Sequence, residues 1–343
     1  MKINIFSQII DLNTQYLLYI LCIMNLFIHL LIFIIVILSY LHIIQQYKTS
    51  EDLEIYELDY KDNYYLQEIC DVKQPAVFYY KDICPEFFDS INSDTLDDKE
   101  IYDVKIKDVQ DYWNNDIESV DYILLPYKSS QSLMKTDTHG NYITEENEQF
   151  VEDSGLYSHF QMNDELLKPS FTVQTKYDIM TGSQNSVSPF RYHTNNRYFI
   201  CVNSGKIRVK LTPWKSSKYL YPIKDFENYE FRSPINPWTP QRRYFVEMDK
   251  MKFLEFDLNE GQVLYIPSYW WYSIKYINEF SIVSGFTYNS VMSTIANSKD
   301  IGLYMLQQSN TKTKVAKTID LSTMNNTPTD ENNNEITPED CAI

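Results

Sequence analysis

Residues Asn259–Ser273 read NEGQVLYIPSYWWYS. The β-rich runs Phe253–Leu258 and Gln262–Ile266 flank Asn259-Glu260-Gly261, a turn signature, so this stretch reads as a hairpin. Pro267 cannot donate to a ladder and ends the second run, and Tyr272–Tyr276 reads as the next strand. Side chains alternate along a strand, so Trp270 and Trp271 face opposite ways, one filling the interior and the other packing outside.

The same grammar extends upstream. Tyr198–Val202 and Lys206–Leu211 flank Asn203-Ser204-Gly205 as a second hairpin; Phe171–Ile179 and Phe280–Tyr288 read as further strands. Ala76–Tyr80 reads as a core strand, Cys84–Ile91 as a short helix with Pro85 at its start, and Val291–Gln308 as a helix. Short strands joined by turns, without β-α-β alternation, predict a mainly β (α+β) fold. It is a jelly roll or double-stranded β-helix barrel with flanking helices.

A different solvent is written into the N-terminal part. No Asp, Glu, Lys or Arg occurs from Leu12 to Tyr47, and Tyr16–Ile44 is almost wholly apolar. As a helix it spans roughly 43 Å, against a hydrocarbon core of ~30 Å. It is too long for the core of a signal peptide and apolar on every face, unlike a surface helix. The expected organisation is an N-terminal flank (1–15), a transmembrane helix (16–44), a linker (45–52), one domain (53–308) and a disordered Asn/Thr-rich tail (309–343). The lipid bilayer is therefore an expected partner. Orientation is left open, since Lys2 and Lys48 give almost no positive-inside bias.

Composition removes several classes of function. The 343-residue chain carries 30 Lys+Arg against 47 Asp+Glu, a net charge of −17, so no nucleic-acid partner is expected. Its 7 glycines are too scattered for G-x-G-x-x-G, a P-loop or G-x-S-x-G. The 5 Cys and 5 His form neither C-x-x-C nor H-E-x-x-H. Charge is segregated: 51–118 holds 20 acids and 6 bases, whereas 168–252 holds 6 acids and 15 bases. Either the two parts pack with complementary fields, or the second lines an anion-attracting concavity.

Together, Asn259–Ser273 and Arg191–Trp214 (RYHTNNRYFICVNSGKIRVKLTPW) resemble the two signature strands of cupin-like, Jumonji-C-type 2-oxoglutarate oxygenases, especially the asparaginyl-hydroxylase branch. Gln74-Pro75-Ala76-Val77 resembles the usual start of that domain. The resemblance implies Fe(II) held by two His and one carboxylate, with 2-oxoglutarate as cosubstrate. Here the metal positions are His193, Asn195 and Tyr272, and the position of a lysine that binds 2-oxoglutarate is Ile207, with Lys206 beside it but facing the other side of the strand. Neither His139 nor His159 lies in the matching strands. No metal or cofactor is therefore expected; Fe(II) and 2-oxoglutarate belong to the alternative of a hydroxylase with atypical ligands. Tyr272 reads either as a phenol ligand or as a barrel aromatic. Arg191, Arg197, Lys206, Arg208, Trp270 and Trp271 are candidates for binding a small anionic ligand, the third alternative.

With its AT-rich composition and N-terminal anchor, this version of the signature resembles membrane proteins of giant DNA viruses. That implies a single-pass protein of a virion or internal membrane, non-catalytic, with a structural or interaction role among other membrane or virion proteins.

Overall fold

The computed structural model describes residues 2–113, 119–310 and 317–318. The expected disordered tail, 309–343, lies outside these apart from 309–310 and 317–318.

Fifteen strands lie between Tyr56 and Ser290. In chain order they are β1 (Tyr56–Glu57), β2 (Ala76–Tyr79), β3 (Asp103–Asp108), β4 (Ile123–Pro126), β5 (Tyr142–Thr144), β6 (Thr172–Gly182), β7 (Phe190–Tyr192) and β8 (Arg197–Ser204). There follow β9 (Lys206–Thr212), β10 (Ile223–Asp225), β11 (Glu230–Ser233), β12 (Leu254–Asn259), β13 (Gln262–Ile266), β14 (Trp271–Tyr276) and β15 (Ile282–Ser290). One sheet runs β1-β2-β13-β8-β15-β6-β5-β3-β4, with a two-residue strand, Lys317–Thr318, pairing parallel to β4 at its edge, and the other runs β10-β11-β7-β14-β9-β12. Facing sheets with nearly all pairs antiparallel make a jelly roll.

Period-2 alternation explains how the layers hold together. Along β8, Tyr198, Ile200 and Val202 face the interior between the sheets. Phe199 and Cys201 face outward into an aromatic cluster with Phe78, Tyr265, Phe286 and Tyr288. Helices cover that outer face, so β8 is buried on both sides. The second sheet sends Ile207, Val209 and Leu211 inward. Each such fully buried side chain contributes about 1.5–3 kcal/mol relative to exposure.

Two expectations need correcting. Asn203-Ser204-Gly205 and Asn259-Glu260-Gly261 do not close hairpins. β8 pairs with β13 and β15, while β9 pairs with β12 and β14, so the chain changes sheet at each turn. Gly205 (φ 82°) and Gly261 (φ 88°) supply the left-handed backbone these corners need. The helix expected at Val291–Gln308 is two, Val291–Ala296 and Ser298–Asn310, separated at Asn297. Its side-chain amide donates to the Ser293 and Thr194 carbonyls, tying the break to the barrel.

The first helix, α1 (Lys2–Tyr47), includes the expected flank and runs into the expected linker. Its Tyr19–Tyr47 portion is long and apolar enough to cross a membrane. Its last turns pack against the helix Val291–Ala296, where the Tyr47 hydroxyl donates to the Ala296 carbonyl.

Candidate functional site

At one end of the barrel, three strands of the second sheet bring charge inward. Arg191 on β7 stands directly opposite Arg232 on β11 and Tyr272 on β14. Like charges opposed on a ladder repel, and buried carboxylates answer them. Arg191 Nη1 donates to Glu145 Oε1 (2.8 Å) and Glu230 Oε1 (3.0 Å), and Nη2 to Glu145 Oε2 (2.5 Å). Arg232 lies 3.8 Å from Asp225 and 3.9 Å from Glu230. Lys107, also buried, pairs with Glu145 at 3.3 Å and Glu146 at 3.0 Å, and the Tyr112 hydroxyl donates to Glu145.

Glu145 reaches this position because its turn is clamped. Asp178 on β6 accepts the backbone N–H of Glu146 and of Asn147, each at 2.8 Å, holding Glu146 at φ 60°. Burial would lift the Glu145 carboxyl, but Arg191 and Lys107 outweigh it and hold it at about 2. Asp178 shows the reverse balance. Its desolvation exceeds the two N–H bonds and pushes it up to about 7.

The three family metal positions sit beside this network with their donor atoms differently engaged. His193 Nε2–H donates to the Ile266 carbonyl (3.1 Å), which fixes the tautomer and leaves the lone pair of Nδ1 without a hydrogen-bond partner. Burial depresses the imidazole to about 3, so it is neutral. The Asn195 amide oxygen accepts from Asn289 (3.2 Å). Tyr272 packs 6.1 Å from the His193 ring, centroid to centroid, and the Arg191 guanidinium lies 5.6 Å from its ring. Burial raises the phenol, and the nearby guanidinium only partly offsets this. Among the described residues no three His, Cys, Asp or Glu side chains group as metal ligands. One neutral imidazole lone pair, a bonded amide and a protonated phenol beside a fixed cation do not fit a two-His, one-carboxylate iron centre.

A cavity of about 1350 Å³ opens over these residues. Its charged lining is Lys105, Lys176 and Arg191 against Glu145, Glu146, Glu148, Glu152, Asp153, Asp178, Glu227 and Glu230. With three bases facing eight acids, this is not an anion-attracting concavity.

Of the six ligand candidates, the structure brings Arg191 alone into the cavity wall. Arg197 is buried on the outer side, donating to the Leu167 carbonyl (2.7 Å) and to Asn63 and Gln67. Lys206 and Arg208 lie on the outer face of β9 and pair with Asp257 on β12 at 2.7 and 2.6 Å. Trp270 packs among the interior side chains, and Trp271 packs outside the second sheet with its Nε1–H on Ser217. The basic region is thus neutralised largely by its own neighbours, Glu255, Asp257 and Glu230, rather than by the acidic front segment. Sequence reasoning missed Lys107, Glu145, Asp178, Glu230 and Arg232. An alternating strand such as DVKIKD carries no mark that its lysine is buried on a face covered from both sides.

Comparison with known proteins finds that residues 71–294 match the family model for the cupin-like domain. JmjC domain-containing protein D of Dictyostelium discoideum is 29% identical over 102 residues, covering 29% of this chain and 22% of that protein. HSPB1-associated protein 1 of Homo sapiens is 29% identical over 105 residues, and that of Bos taurus 26% over 105, each covering 30% of this chain and 22% of the relative. The chain thus matches about a fifth of the length of these curated relatives.

Proposed function

The chain belongs to the cupin-like domain family, and from that premise we propose that it is a single-pass membrane protein whose barrel serves a structural or interaction role without catalysis. The observation that carries this reading is the Arg191 guanidinium, locked between Glu145 and Glu230 against Tyr272. With the Glu145 and Glu230 carboxylates spent on Arg191, no charged donor stands at the family metal positions, and the acid-lined cavity repels 2-oxoglutarate, itself a dianion. The buried ion network does the cohesive work that ligand bonds do around a metal.

The anchor is supported by the length and apolarity of Tyr19–Tyr47 and by its continuity into a helix end packed on the domain. The compositional likeness to giant-virus membrane proteins extends the proposal to a virion or internal viral membrane.

Iron analysis and 2-oxoglutarate turnover of the purified full chain test the reading. After anaerobic incubation with Fe(II) and 2-oxoglutarate, then desalting and exposure to oxygen, we expect substoichiometric iron and no succinate. Stoichiometric iron with 2-oxoglutarate consumption overturns it in favour of a hydroxylase with atypical ligands.

A further inference from the structure

The place where α1 meets the domain carries a second surface. The helix Val291–Ala296 turns Ser293 and Ala296 inward and leaves Val291 (40%) and Ile295 (48%) exposed, four residues apart and so on one face. The Val291 N–H donates to the carbonyl of Phe171, whose side chain is 85% exposed. On the other side of the junction, the Tyr47 ring lies 6.2 Å from Tyr269, and Tyr269 lies 5.4 Å from Trp214, which is 38% exposed. Exposed Lys215 and Lys218 follow Trp214, and Lys215 Nζ reaches the Glu51 carbonyl just past the helix end.

Exposed aliphatic and aromatic side chains bordered by Trp, Tyr and Lys have the composition of a surface that rests in a bilayer interface. Aromatic rings sit at headgroup level, and lysines reach outward to anionic lipid. The depth agrees. The apolar stretch runs to Ile44, and the last turns of α1, with Ile43 and Ile44 half-buried, pack on the helix Val291–Ala296. That helix is thereby held at the level where the hydrocarbon ends.

We propose that the face formed by Phe171, Val291, Ile295 and Trp214, with Lys215 and Lys218 at its rim, docks on the anionic headgroup layer of the membrane that α1 crosses. The domain then lies against the bilayer instead of swinging from a tether. This rests on reading α1 as a membrane span.

The test reconstitutes the full chain in nanodiscs of phosphatidylcholine and phosphatidylserine brominated near the top of the acyl chain, a quencher of tryptophan at the interface. Trp214 is the most exposed of the five tryptophans, so quenching is expected in the parent chain and lost in Trp214→Phe. It is also expected to be lost in Val291→Glu/Ile295→Glu, which keeps Trp214 and, because both sites are exposed, keeps the melting temperature. Quenching that is absent in the parent chain, or unchanged in either variant, overturns the proposal. A second copy covering the face gives the first of these results, since Trp214 is then shielded from brominated lipid. Alkaline extraction of the same membranes separates the two failures. Release of the chain sinks the anchor, whereas retention without quenching sinks the docking face alone.

Discussion

Arg191 has Arg232 opposite it on one side and Tyr272 on the other, so its charge is tolerated only while Glu145 and Glu230 remain bound. Arg191→Met removes the cation and leaves two buried carboxylates with weaker partners, Lys107 at 3.3 Å and Arg232 at 3.9 Å. A loss of about 3–5 kcal/mol is expected in urea unfolding of the full chain. Adding Glu145→Gln to Arg191→Met should cost less than the sum of the single changes, because the second deletion removes a charge the first orphaned. Strict additivity would show that the pair is not coupled. At this scale the sequence was half legible. Arg191 stood out beside a family motif, but its partners lie 46 and 39 residues away along the chain. Nothing local distinguishes Glu145-Glu146 from an ordinary solvated pair.

Among elements, legibility follows periodicity. β6, β8, β9, β12, β13, β14 and β15 start and stop within about three residues of where alternation and turn residues put them, because one face of each is apolar. Sheet membership was not legible. A glycine turn after Asn and Ser or Glu has the same local chemistry whether the chain folds back on itself or crosses to the facing sheet, and long-range pairing decides which. Gly261 tests the corner. A Cβ built there would meet the Tyr79 ring at 2.6 Å, on a backbone at φ 88°. Gly261→Ala should therefore cost about 2–4 kcal/mol, left-handed strain and crowding together. Gly155→Ala, with nothing within 4 Å of its Cβ, keeps the strain from φ 77° without the clash. It should cost only about 1–2 kcal/mol. Equal losses in thermal melts of the two variants would show that the corner is not tightly packed.

For the whole molecule, the net charge of −17 conceals where titration acts on the fold. His193, held near 3, binds its proton far less readily folded than unfolded, where histidine titrates near ~6.5. The unfolded chain therefore carries more protons between these values, and stability rises with pH across that window. Asp178, lifted to about 7 from an ordinary value near ~3.9, does the opposite. There the folded chain carries more protons, and stability falls as pH rises. From about pH 4 to about pH 6.5 the two slopes oppose each other, each approaching ~1.4 kcal/mol per pH unit. Below that range Asp178 no longer offsets His193. The stability that Glu145 contributes, full above about pH 4.5, is then lost as pH falls through its value of about 2. Urea midpoints of the full chain in detergent at about pH 4.5, 5.5 and 6.5 separate the contributions, with the parent chain subtracted to cancel every other titrating group. Relative to the parent, Asp178→Asn should gain stability as pH rises and His193→Gln should lose it. Difference profiles that are both flat would mean that neither burial reaches the proton equilibrium. A flat Asp178→Asn profile beside a falling His193→Gln one would mean that Asp178 is charged in the fold, its two N–H bonds outweighing its desolvation.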